Sequence, residues 1–439
     1  MSKGVNLTKR VGFVALAGVL LATLAACSSG IVANGVASNQ SIQAAIEAAA
    51  PGTTLTVYGT HKENVTLDVN NITLQPGPGG GAIDGNLTVT GDYDAIKNMT
   101  ISGELLTSGE GFKNLTLDPV TIWGDAIEGA FTCSEIISDG GNLQTAIDGA
   151  VSGDSICAAP GTYDAFSIDS LSNFSVSGFG RDYTKIVPST LIDSGIGHKS
   201  TADMRVVVLV NGSTNVSVKY MGIQSTSTAP GSGASRGADA IVFWNASTGS
   251  IEYSTVSGVY AINGEQTGQG IALDAGSGDR SDLLVQSCDI SGFQKNGIDV
   301  VDGNSSTSNP GTITFDVEGG SITGAGATSA IAQNGVSGWN NGGGNVTGTV
   351  NGTSISDFNF TPTTASDSGI IAYAGASVTP VSSSSFSNFG SDEYFIAAAG
   401  STSIDATDGN TFDGVSPATA TSSQLTSIES QLLGTVTIK

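Results

Sequence analysis

Positive charge is what this chain has least of. Lys and Arg together number 15 against 39 Asp and Glu, a formal net charge of −24. Phosphate backbones are held by clustered Lys and Arg, so the composition excludes nucleic acid as a partner. Even the acidity is thin, because only 12% of the residues are charged; polyanions are repelled unless cations bridge them. Histidine is rarer still. His61 and His198 stand far apart in the chain, which leaves no His pair at metal-ligand spacing and no zinc site. No Gly-x-Ser-x-Gly elbow and no phosphate loop is present, so an esterase of that type and a nucleotide enzyme are both unsupported. Aromatic residues make up 6% of a chain that is 39% hydrophobic. The interior must therefore be filled by Val, Ile, Leu and Ala, the composition of short stacked strands. Beyond Leu24 no apolar run is long enough to cross a bilayer.

The start of the chain is a targeting segment rather than structure. Lys3, Lys9 and Arg10 precede an apolar stretch from Val11 to Leu24, and Leu24-Ala25-Ala26-Cys27 follows. This resembles a bacterial lipoprotein signal, whose lipobox the four residues match. The resemblance implies a signal peptide over 1–26, cleavage before Cys27 and lipid on its sulfur, with the amine usually acylated as well. Two or three acyl chains hold a protein stably on a membrane where one is marginal. The membrane is then a partner through the anchor, and everything after it lies outside the cytoplasm, on the cell surface or outer membrane. Ser28, rather than an acidic residue, is compatible with outer-membrane sorting in a Gram-negative host. The alternative is an ordinary secretory peptide in which Cys27 is incidental.

The stretch from Leu284 to Val301 (LVQSCDISGFQKNGIDVV) sets the pattern for the rest. It reads strand, corner, strand. The cadence returns at Val317-Glu-Gly-Gly-Ser-Ile, Val350-Asn-Gly-Thr-Ser-Ile and Val381-Ser-Ser-Ser-Ser-Phe, with looser copies at Tyr220 and Tyr253. Each copy is followed by a second strand that opens on a small residue: Gly270-Ile, Gly297-Ile, Ala330-Ile, Gly369-Ile. Intervals of about 25–35 residues are those of a stacking repeat, whose units bury their apolar faces only against one another. The expected fold is all-β, a right-handed parallel β-helix (a solenoid) with short capping helices.

After a linker over 27–39 the chain enters that fold twice, at Ser41-Ile-Gln-Ala-Ala-Ile-Glu and at Asn142-Leu-Gln-Thr-Ala-Ile-Asp. Gln43 matches Gln144, Ile46 matches Ile147, Glu47 matches Asp148 and Gly52 matches Gly153. Each reads as a short amphipathic helix with Ser or Asn as N-cap, then a Gly and a first strand. Such a helix shields the open edge of a strand stack. Gln-x-x-Ile, a helix, a strand and then Pro160-Gly161-Thr162-Tyr163 resemble the start of pectate-lyase-like parallel β-helix proteins, over most of the mature chain. That resemblance identifies a fold hosting several functions. Two openings predict two modules, a small one over 40–131 and a main one over 132–439 that ends in a capping helix from Ser422 to Gly434. In the first, Asn-x-Thr recurs at Asn64, Asn71, Asn86, Asn98 and Asn114. It is in phase with the strands, as stacked Asn columns require, so it reads as structure rather than as glycosylation sites.

Of the 4 cysteines, Cys27 is assigned to lipid. Cys133 and Cys157 flank the second helix and are disulfide candidates, or else two small buried residues. Cys288 shares a repeat position with Thr353 and Ser384 and reads as an inward, inert thiol. Candidate chemistry sits on the second strands. If Ile271, Leu273, Ile298, Val300, Ile370 and Ala372 point inward, then Asp274, Asp299, Asn334 and Tyr373 point outward. Asp274 and Asp299 would lie on neighbouring rungs about 8 Å apart, a carboxylate spacing used by inverting glycosidases. Arg280 and Lys295, with Arg236 and Asp239, are the charged groups near them. The more ordinary reading of two outward Asp residues is solvated surface. The Asn-Thr-Asp and Gly-His-Gly motifs of polygalacturonases are missing. Lyases of this fold class use a Lys or Arg base with calcium; calcium is the one cofactor this resemblance admits, yet no calcium-loop cluster surrounds Arg280 or Lys295. Trp339, in a Gly/Ser/Asn-rich segment, and Tyr373 are sugar-stacking candidates; Trp123 and Trp244 read as partial core. The function expected is a lipid-anchored cell-surface protein that binds glycan or mediates surface contact. Two alternatives stand beside it: a polysaccharide lyase or glycoside hydrolase, and a structural spacer with no site.

Overall fold

The structure, a computed structural model, describes residues 34–103, 105–107, 115–122, 125–127, 131–194, 205–225, 238–261, 264, 266–274, 280–302, 311–340, 343–362, 365–390, 393–399, 402–406, 409–412, 429–432 and 435–438. Cys27, Asn114, Trp123, His198 and Arg236 lie outside them, as does the stretch 413–428 that holds the start of the expected last helix.

Both openings form as helices, α1 (Ile42–Glu47) and α2 (Leu143–Gly149), capped by the side chains of Ser41 and Asn142. The four matched residue pairs have matched roles. Gln43 Oε1 accepts from the Thr66 N–H and Gln144 Oε1 from the Ser167 N–H, each at 2.6 Å, so each helix clips a strand of its own stack. Glu47 and Asp148 accept from the amides of those glutamines. Ile46 and Ile147 are buried, and Gly52 and Gly153 turn the chain at φ of 88° and 97°, a region open to glycine at little cost. Glu63 sits at the start of α1. Burial alone would raise its pKa, but bonds from the Ser41 hydroxyl and the Ile42 and Gln43 N–H groups, with His61 beside it, hold it below the usual range.

Beyond α2 the described strands visit three sheets in turn, of 11, 9 and 10 strands. Their pairing is parallel throughout, apart from Ile192–Asp193 against Arg205–Asn211. This is a parallel β-helix. Val218, Ile251, Val285, Val317, Val350 and Val381 stack in register as one buried column; each such side chain contributes about 1.5–3 kcal/mol. In the neighbouring column Gly348 makes room for the ring of Phe315, since a Cβ there would sit 2.3 Å from it.

The repeated cadence is a two-residue corner. Its first residue has positive φ at Tyr220, Tyr253, Ser287, Gly319, Gly352 and Ser383. That conformation is costly for a bulky side chain, and at Tyr220 and Tyr253 the rings stack at 5.2 Å. The second corner residue is Cys288, Gly320, Thr353 and Ser384 in four successive copies, and the three that carry a side chain are buried.

The first module has sheets of 7 and 3 strands, the larger completed by Phe131–Cys133 running antiparallel to Leu115–Ile122. Its Asn-x-Thr repeats serve two purposes: Asn64 Oδ1 accepts from the Asn86 N–H at 2.9 Å, whereas Asn71 and Asn98 take positive φ. Cys133 is bonded to Cys157. The neighbours of Cys157 on its strand, Ile156 and Ala158, face the main core, while Cys157 itself packs with Cys133, Ile136, Phe179 and the interior of the first module. Because Cys133 ends a strand of the first module's larger sheet, two residues past the boundary expected at 131, the disulfide joins the two modules across the outer wall of the main coil.

One expected element is overturned. Glu429–Leu432 is a strand paired with Tyr394–Ala399, where the spacing of Leu425, Ile428 and Leu432 predicts a helix. A strand edge already in place offers backbone partners that outweigh a marginal helical face. The last described turns hold a cluster of phenylalanines, Phe386, Phe389, Phe395 and Phe412, with ring centroids 4.7–6.2 Å apart.

Candidate functional site

The ten-stranded sheet carries most of the residues singled out by the sequence. Ile271, Leu273, Ile298, Val300, Ile370 and Ala372 belong to the core, so the alternate residues point outward. Asp274 lies opposite Val301, and Asp299 opposite Ala272. The two aspartates are thus one strand and two residues apart, about 8 Å between backbones for ideal spacing. Trp244, Asp274, Val301, Trp339 and Tyr373 then form one column across five strands.

Three expectations about this face are corrected. First, the aspartates are not solvated: Asp274 is 4% exposed and Asp299 0%. This outer face is buried along much of its length, and Val206, Leu209, Val242 and Ala272 form an apolar cluster on it with Trp244 packed alongside. Second, the copy that opens at Ala330 is displaced. The strand is Asn334–Trp339, so Gly335-Val336 is the counterpart of Gly297-Ile298. Asn334 consequently points inward, donating to Asn296 at 2.8 Å, and Trp339 ends a strand instead of standing in a loop. Ala330-Ile331 mimics the small-apolar signature, and only pairing distinguishes them. Third, the bases diverge. Arg280 binds Asp282 at 3.0 Å on the eleven-stranded sheet, and Lys295 Nζ donates to the Ala332 carbonyl at 2.6 Å. A groove combining Asp274, Asp299 and these two cations is therefore not assembled.

What the column does assemble is an aromatic pair. Trp339 and Tyr373 sit on adjacent strands, both half-buried, with centroids 6.4 Å apart and planes at 60°. Burial, with the charge of Asp299 adding to it, pushes the Tyr373 hydroxyl up to about 12. Tyr373 therefore remains a neutral hydrogen-bonding phenol at physiological pH.

Two features escape sequence reasoning. One is a run of buried polar side chains at the corner leading into this sheet. Asp239 accepts from the Gly268 and Gln269 N–H groups, Gln269 from Asn296, Asp367 from Gln333, and Glu393 from Phe360 and Asp367. Their segments resemble loops in sequence. Burial drives Asp367 up to about 7, the nearby Glu393 adds to this, and Lys295 opposes it. The other is a shallow groove of about 390 Å³ on the outer face of the eleven-stranded sheet, around Thr248, Ser250, Asp282, Leu284, Thr314 and Asp316. Among the described residues no three His, Cys, Asp or Glu side chains converge to hold a metal ion, and no helix is long and apolar enough to cross a membrane.

No protein-family profile and no curated protein matches the chain. Among solved structures it is similar to pectin methylesterase PemA from Erwinia chrysanthemi, at 11% identity and a TM-score of 0.34, over 64% of this chain and 81% of that one. A pectin methylesterase in complex with hexasaccharide VII gives 11% and 0.33 over the same shares. The Agl-KA catalytic domain gives 13% and 0.31, over 94% of this chain and 69% of that one. Likeness at this level bears on neither substrate nor site.

Proposed function

We propose that the protein is a lipid-anchored, extracytoplasmic β-helix that binds glycan along a row of strand ends on its ten-stranded sheet. The observation that carries this reading is the half-exposed pair Trp339 and Tyr373 on successive turns. Aromatic faces present apolar area with little conformational entropy to lose, and the Trp N–H and Tyr O–H supply polar ends. Sugar rings have the complementary shape, an apolar face with a polar rim. A chain this acidic favours neutral glycans, or acidic ones bridged by cations.

The test is binding of the soluble mature form to a polysaccharide panel. Trp339→Ala and Tyr373→Ala are each expected to weaken binding roughly tenfold, about 1.4 kcal/mol, with thermal stability little changed. Unaltered binding in the double variant defeats this reading. For the anchor, Cys27→Ser is expected to abolish incorporation of labelled fatty acid and release the protein from membranes. A second reading, hydrolysis, rests on Asp274 and Asp299 standing on adjacent strands two residues apart, since glycosidases work with paired carboxylates. Reducing ends released by wild type but not by Asp299→Asn would favour it over binding alone.

A further inference from the structure

We infer a second carbohydrate subsite, selective for neutral sugars, in the groove on the outer face of the eleven-stranded sheet. It stands on residues other than the aromatic pair and survives or fails independently of it.

The groove arises where one column breaks its own rule. Read along the stack, the outward residues Ser217, Ser250, Leu284, Asp316 and Thr349 lie in register. All are polar except Leu284, which is half-buried. Beside it runs a second outward column, Thr248, Asp282, Thr314 and Thr347. Leu284 thus forms an apolar floor ringed by hydroxyls and two carboxylates. Asp282 and Asp316 flank it one strand and two residues apart, about 8 Å for ideal spacing. A volume of about 390 Å³ is at the small end of ligand sites and suits one or two sugar rings.

The hydrogen-bond inventory then selects the ligand. Asp282 is engaged by Arg280 and by the Thr314 hydroxyl. Asp316 Oδ1 accepts from Thr349 at 2.6 Å, and its remaining lone pairs face an exposed site. Thr248 Oγ1 accepts from the Asn215 N–H at 2.8 Å, which leaves its own proton to donate. Ser250 donates to Glu252 at 2.6 Å and can accept. The rim therefore mixes acceptors with a donor, and a ligand that meets it must do both. Sugar hydroxyls do. A uronate would bring a third anion against Asp282 and Asp316, with Arg280 already paired. A pyranose laid on Leu284 buries its apolar face and reaches Asp316 and Thr248 with its hydroxyls.

The experiment is calorimetric titration of the mature protein with neutral oligosaccharides (cello-, xylo-, manno- and malto-hexaose) and with oligogalacturonate, in EDTA. Trp339→Ala/Tyr373→Ala serves as background, so that the other proposed site is silent. At least one neutral oligosaccharide is expected to bind, and oligogalacturonate at least tenfold more weakly. Leu284→Lys and Asp316→Ala should each reduce neutral binding about tenfold or more. Should Leu284→Lys fold poorly, the exposed Asp316→Ala carries the test alone. The proposal is overturned if no neutral oligosaccharide binds this background at millimolar concentration. It is also overturned if affinity is unchanged in Asp316→Ala, if oligogalacturonate binds equally well, or if binding needs calcium.

Discussion

Asp367 shows how one buried carboxyl shapes the whole molecule's response to pH. Its ordinary value is 3.8, and in the fold it lies at about 7. Between those limits the folded chain keeps a proton that the unfolded chain has released. The stabilisation is therefore complete below about pH 4 and lost as pH rises through 7. Asp94, buried near Asp92 and Asp68, is raised to about 7 as well and adds a second slope of the same sign. Asp367→Asn retains an oxygen for the Gln333 N–H and removes one titration. Urea midpoints at pH 4.5 and 8 should show wild type less stable at pH 8, and the gap should fall by roughly half in the variant. A gap that stays the same would assign the slope elsewhere. None of this was legible in the sequence, where Asp367 stands among Ser and Thr as loop residues do. Cys288 was legible, because its copies in the repeat are Thr353 and Ser384. Burial raises its thiol to about 12, as an inert inward cysteine requires.

At the scale of elements, the paired openings were the most readable feature of the chain. Two stretches about 100 residues apart agree at Gln, Ile, an acid and Gly, and each agreement proves to be a shared structural role. Gln144 is the one to remove. Gln144→Ala leaves the Ser167 N–H without its acceptor, at a cost of about 1–3 kcal/mol. Asn142→Ala, which removes the cap, should cost about 1 kcal/mol. Both should lower the melting temperature, and Gln144→Ala should also raise concentration-dependent light scattering, since an exposed edge recruits other chains. Equal scattering from both variants would show that edge protection is not the helix's task. The second strands are less legible. The small-apolar signature recurs at Ala330-Ile331 and at Gly335-Val336, and only strand pairing selects the latter. The outward aspartates lie in the register that alternation gives but under cover, because alternation reports which side of a sheet a residue faces and not whether that side is covered. The final strands are hidden in the sequence because Leu425, Ile428 and Leu432 fit a helical face, and the neighbouring strand edge that captures Glu429–Leu432 is distant in sequence.

For the molecule as a whole, the joint between modules matters most. Cys133 and Cys157 are 24 residues apart, and closing a loop of that order stabilises a fold by about 3 kcal/mol in the chain-entropy description. Here the bond also pins the first module to the outer wall of the second. Cys133→Ser/Cys157→Ser should lower stability by roughly that amount. Limited proteolysis should then cut within residues 34–131 under conditions that leave wild type intact, while the main coil resists. Uniform cleavage of both modules would mean that they unfold together without the bond.

The duplicated clip at Gln43 and Gln144 has a consequence for how such a chain can lengthen or shorten. Each coil carries its own stopper at the point where it starts, so protection against sticky ends is a local property of either half. Turns could be added behind one stopper, or the leading half lost, without exposing the bare first rung of the half that remains.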